Sequence, residues 1–146
     1  MKKYKIGYTT GVFDMFHIGH LNILRRAKEQ CEYLIVGVST DEVVKEYKHK
    51  IPVIPFKERI DIISELRCVD KVVAQSDMDK LKAWENYHFD ALFHGNDWKN
   101  SAMYDEIEKK LKVHGVDVVY LPHTEGVSST LLSEKYEIRI ITDDNH

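Results

Sequence analysis

The sequence predicts a single α/β domain: a Rossmann-like, doubly wound parallel sheet of about five strands with helices on both faces. Three observations carry that expectation. Five short apolar segments alternate with stretches whose apolar residues recur at helical spacing. One of the five, YLIVGV at 33–38, is apolar without a break, as a strand covered on both faces of a parallel sheet is. Polar segments rich in His, Asp, Ser and Thr follow four of the strands, where open parallel sheets bind their ligands.

Taken in order, the first strand is expected at about 5–12, followed by GVFDMFHIGH at 11–20. After His20, residues Leu21, Leu24 and Ala27 mark a helix that leads to the second strand at 33–38. STDEVVKEYKHK follows as a polar loop. Ile60, Ile63 and Leu66 then mark a helix before a third strand at 71–74. A fourth strand at 90–93 runs into HGNDW, and Met103, Ile107 and Leu111 mark the helix before a fifth strand at 116–121. HTEGVSST at 123–130 closes the domain, expected to span 1–135, with a tail at 136–146. Strands alternating with helices imply right-handed crossovers, which bring all four polar segments to one rim of the sheet.

Composition narrows the partners. The 146 residues suffice for one sizeable core, and a formal net charge of −3 gives no basic or acidic imbalance aimed at nucleic acid or a membrane surface. MKKYKIGYTT lacks the apolar run of a signal peptide, and no stretch approaches the ~20 apolar residues that span a bilayer. Cys31 and Cys68 form no CxxC pair, so reduced thiols and a cytoplasmic location are expected.

The pair His17 and His20 stands where a strand should hand over to a helix. Gly11 lets backbone approach a ligand closely, and Gly19 opens a helix whose free amides and dipole attract anions. At that entrance both imidazoles can donate to phosphate oxygens as charge develops in a transition state. The same spacing suits a histidine that caps while its neighbour packs. It also suits a metal pair, the weakest of the three roles because no thiolate lies nearby. Ser128, Ser129 and Thr130 fit the start of a last helix, either as caps or as phosphate ligands.

The motifs resemble a known family. HIGH at 17–20 resembles the HxGH signature of the nucleotidyltransferase superfamily, and HTEGVSST resembles the RTEGIST element of cytidylyltransferases acting on phosphorylated alcohols. RCVD at 67–70 resembles their RYVD element, and GNDW at 95–98 the GDDW of bacterial glycerol-3-phosphate cytidylyltransferases. Order and spacing hold from about residue 4 to residue 133.

The resemblance implies transfer of CMP from CTP to a phosphorylated alcohol, most naturally glycerol-3-phosphate, with release of diphosphate. Choline phosphate or ethanolamine phosphate is the alternative acceptor, and an ATP-using adenylyltransferase a more distant one. It implies catalytic roles for His17, His20, Lys48 and Arg67, with Lys50 as the neighbouring alternative to Lys48. Nucleotide contacts are implied for Gly11, Val12, Phe13 and Gly19, for Asp97, and for His123, Thr124, Gly126, Ser128, Ser129 and Thr130. Asp14, Lys48 and Trp98 are implied at the acceptor, although Asp14 suits a brace of the HxGH loop equally well and Trp98 suits simple packing. Mg²⁺ is the implied cofactor, with Asp97 either orienting the nucleotide or helping to hold the ion. A homodimer is implied through RCVD, and neither nucleic acid nor membrane is an expected partner.

Four positions depart from the family pattern. His123 replaces the arginine of RTEG and lacks its fork and permanent charge, which bears on nucleotide affinity. Asn96 stands for the first aspartate of GDDW, Cys68 for the tyrosine of RYVD, and Val12 where glycerol-3-phosphate enzymes usually carry threonine. Val12 is the change that leaves choline or ethanolamine phosphate open.

Overall fold

A computed structural model of the chain describes residues 2–95 and 101–122. The described elements run β1 (Tyr4–Gly11), α1 (Ile18–Gln30), β2 (Cys31–Ser39), α2 (Asp41–Lys48), α3 (Phe56–Ser64), β3 (Lys71–Gln75), α4 (Lys80–Tyr87), β4 (Ala91–Gly95), α5 (Ala102–Lys112) and β5 (Asp117–Leu121). The five strands form one sheet in the order β3-β2-β1-β4-β5. All pairs are parallel, with Tyr4 opposite Cys31 and Gly7 opposite Ala91. The expected fold class is present, and the strand order reverses between β1 and β4. That reversal opens a crevice at their carboxyl ends.

Two apolar layers sandwich the sheet. On one face Leu34, Val36, Val38 and Phe93 pack with Leu24 and Ala27 of α1 and Ile63 of α3. On the other, Tyr8, Ile35 and Leu92 pack with Tyr104 and Leu111 of α5 and with Leu81 and Trp84 of α4. Adjacent residues of β2 thus serve opposite layers, which is why its apolar run is unbroken.

Three local expectations need correction. The stretch after β2 is not a loop but helix α2, capped by the Thr40 side chain, which accepts from Val43 N–H at 3.2 Å. Its two buried residues, Val43 and Val44, are too few to create a visible periodicity. Helix α4 likewise has no counterpart among the expected elements; Asp79 caps it by accepting from Leu81 N–H at 2.9 Å. Leu66 falls beyond α3, which ends at Ser64, although its side chain still packs on the core.

Candidate active site

The site grows from the turn between β1 and α1. Phe13 and Met15 adopt φ values of 55° and 48°, left-handed conformations that cost a non-glycine residue about 1–3 kcal/mol each. Such a turn persists only if its surroundings hold it. The Asp14 carboxylate does so by accepting from the backbone N–H groups of Val53 and Ile54, both at 2.8 Å. Phe13 is buried and folds back over Gly11, where a Cβ would stand 2.9 Å from its Cζ. Gly11 therefore answers to a ring of its own chain.

His17 is the N-cap of α1. Its Nδ1 accepts from Gly19 N–H at 3.0 Å, while its own backbone N–H donates to His20 Nδ1 at 3.2 Å. The Gly19 amide is consequently already engaged, not open to an anion as the sequence suggests. The two rings stack with centroids 3.9 Å apart, and Phe16 covers His20 at 5.3 Å. Because each Nδ1 accepts, each neutral ring carries its proton on Nε2. Burial keeps both rings neutral: it lowers the pKa of His17, and together with the neighbouring His17 it lowers that of His20 to about 4 against an opposing pull from Asp14. The pair is thus two neutral Nε2–H donors fixed side by side. Capping and donation use different nitrogens of the same rings.

Beside this turn lies a cavity of about 120 Å³. Its wall includes Thr10, Gly11 and Val12 at the end of β1, Ser39 and Gln75 at the ends of β2 and β3, and His94 from β4. Tyr47 and Lys48 of α2 and Met103 and Tyr104 at the start of α5 also line it; His17 and His20 are not part of this lining. Lys48 is the last residue of α2, exposed, and so placed on a helix end rather than a loop.

Lys80 is the residue that sequence reasoning missed. It is 4% exposed, lines the cavity, and donates from Nζ to Thr10 Oγ1 at 2.9 Å. Burial pushes its pKa down to about 8. Among the described residues no Asp or Glu lines the cavity, and no carboxylate pairs with this ammonium. A buried cation that these residues leave without a counter-charge would gain from a bound anion. Only its position at the first turn of an unexpected helix could have flagged it, within a stretch, SDMDKLK, that looks merely solvated.

The remaining predicted site residues are placed as follows. Val12 and Phe13 belong to the turn, Val12 on the cavity wall and Phe13 in the core. Arg67 is exposed in the turn between α3 and β3, at the amino end of the sheet, so this chain does not bring it to the rim. Asp97, Trp98, His123, Thr124, Gly126, Ser128, Ser129 and Thr130 lie outside the described residues. Among the described residues no group of three or more His, Cys, Asp or Glu is placed to hold a metal ion.

Comparison with known proteins agrees with this geometry. A glycerol-3-phosphate cytidylyltransferase of Staphylococcus aureus is 34% identical over 128 residues, covering 87% of this chain and 91% of that protein. A probable ethanolamine-phosphate cytidylyltransferase of Encephalitozoon cuniculi is 32% identical over 97% of this chain, which spans 42% of that protein. Among solved structures, a lipopolysaccharide core biosynthesis protein of Thermoplasma volcanium superposes with a TM-score of 0.70 at 28% identity, covering 83% of this chain and 97% of that one. The family model described as cytidylyltransferase-like matches residues 8–135, and with the HxGH pair capping α1 at the switch-point rim, this chain belongs to that family and is a nucleotidyltransferase.

Proposed function

We propose that the enzyme transfers CMP from CTP to glycerol-3-phosphate, giving CDP-glycerol and diphosphate. The observation that carries this choice of acceptor is Lys80, a buried ammonium in a cavity that no acid lines among the described residues. It suits a phosphomonoester dianion attached to an uncharged polyol. The cationic heads of choline or ethanolamine phosphate would share that cavity with a like charge and find no carboxylate on its described wall.

In the proposed reaction a phosphomonoester oxygen attacks the α-phosphorus of CTP in line, forming one P–O bond as the bond to diphosphate breaks. A phosphomonoester is largely dianionic near neutrality, its second pKa being about 6, so no general base is needed. The work of the protein is to bring two polyanions together and stabilise the charge that moves to the leaving group. Lys80 holds the acceptor phosphate, and the Nε2–H groups of His17 and His20 donate to the triphosphate. Lys48, on a flexible stem at the end of α2, closes over the phosphates. Ser128, Ser129 and Thr130 hold the β- and γ-phosphates, while Asp97, His123, Thr124 and Gly126 form the nucleotide pocket and Trp98 walls the acceptor. Mg²⁺ enters as the counter-ion of CTP, and no step is assigned to it.

Arg67 acts from the second copy in a homodimer, because within one chain it lies at the far end of the sheet. Free Cys31 and Cys68 support a cytoplasmic location. A second reading, ethanolamine phosphate as acceptor, draws on Val12 and on the relative from Encephalitozoon cuniculi. Diphosphate release with Mg²⁺, CTP and each acceptor in turn separates them. Release with glycerol-3-phosphate at least tenfold faster than with ethanolamine or choline phosphate is expected; the reverse order would overturn the choice of acceptor. Release with ATP in preference to CTP would overturn the nucleotide.

A further inference from the structure

Arg59 is the bulkiest of the fully buried side chains among the described residues, at 1% exposed. It belongs to none of the motifs above, yet every part of its guanidinium is used. Nε donates to Ile54 O at 2.8 Å, and Nη1 donates to Val12 O at 2.8 Å and to Ser39 O at 2.7 Å. Nη2 donates to Asp41 Oδ1 at 2.6 Å.

Those four acceptors belong to four different segments: the turn that carries the histidines, the end of β2, the first residue of α2, and the stretch before α3. The turn is joined to that last stretch a second time, because Asp14 accepts from Val53 and Ile54 N–H. Asp41 in turn is steadied by accepting from Phe56 N–H at 3.2 Å. Apolar packing alone would not select this residue. Burying a guanidinium is costly, and a well-fitted apolar side chain fills the same volume without that cost.

We propose that Arg59 is a positioning residue for the nucleotidyl transfer: its planar fork sets the turn bearing His17 and His20 relative to the helix bearing Lys48. The proposal rests on the roles assigned above to those three residues. Val12 O directly precedes Phe13, the first left-handed residue of the turn, and Asp41 opens the helix that Lys48 ends. A single ammonium cannot hold three backbone carbonyls and a carboxylate in one plane, so lysine cannot substitute. An error of about 1 Å in the placement of catalytic donors costs on the order of 100-fold in rate.

The test uses the full chain carrying Arg59→Lys, checked for folding by circular dichroism. Turnover with CTP and the best acceptor should fall about 100-fold while the KM for CTP changes less than about threefold. A folded variant with turnover within threefold of the parent, or one that loses only CTP affinity, would overturn the proposal. If Arg59→Lys does not fold, Asp41→Asn decides: it keeps an acceptor for Nη2 but loosens the fork, and an unchanged turnover overturns the proposal. The ring ¹H–¹⁵N signals of His17 and His20 give a readout independent of substrate. They should shift in the nucleotide-free variant, and superimposable spectra would overturn the positioning role even if the acceptor assignment itself had failed.

Discussion

His17 and His20 close the first turn of α1 on each other: the Nδ1 of His17 accepts from Gly19 N–H at 3.0 Å, and the Nδ1 of His20 accepts from His17 N–H at 3.2 Å. One nitrogen of each ring is spent on the helix and the other carries the proton, so the motif is a cap that leaves each ring an N–H donor.

That division can be separated by substitution. His17→Ala should lower turnover by about 10²–10³-fold and cost about 1 kcal/mol of stability through the lost cap. His17→Asn should recover most of the stability, since asparagine caps well, but none of the turnover. Thermal melting and diphosphate release on the two variants check this; activity in His17→Asn near that of the parent would show that the ring is needed only as a cap.

The neutral state of His20 has a stability consequence. Its folded pKa, lowered to about 4 by burial and by His17, lies below the ordinary 6.5. The unfolded chain therefore takes up this proton first, and stability falls as pH drops from 6.5 towards 4. Histidine NMR should show the His20 ring unprotonated at pH 5. In melts across that interval, His20→Asn should lose less stability than the parent protein; an equal loss would mean that other groups carry the whole effect.

Lys80→Met should stabilise and inactivate together. Removing a buried ammonium whose pKa is pressed down to about 8 should raise stability at pH 7 by about 1–3 kcal/mol. The same change should reduce kcat/KM for the acceptor about 100-fold by deleting a charge-assisted contact. A variant that is both less stable and fully active would remove Lys80 from the site.

Asp14→Asn tests brace against ligand. Asparagine has one acceptor oxygen to offer where two backbone N–H groups now donate, so stability should fall by about 1–3 kcal/mol. As a brace, the residue should change turnover while leaving acceptor KM within about threefold. A large rise in acceptor KM with unaltered melting would instead make Asp14 a direct substrate ligand.

Much of this was legible from residue order alone. The unbroken run at 33–38 announced a strand buried on both faces, and β2 is that strand. HxGH announced its own place, because a cap is local chemistry written within four residues. Helices α2 and α4 stayed hidden because each spans only eight residues and buries two side chains or one, leaving no period to read.

What the chain determined by itself is therefore the class of sheet, the rim that carries the motifs and the nucleotidyltransferase signature, all of which follow from local patterns and their order. What only the tertiary structure decided is the meaning of isolated charges. Lys80 meets Thr10 across 70 residues of sequence and Arg59 meets Val12 across 47. In sequence each is one more basic residue among many. Folding removes both from water, and a cation without water needs a partner, which is the physical reason these two stand apart from the exposed lysines.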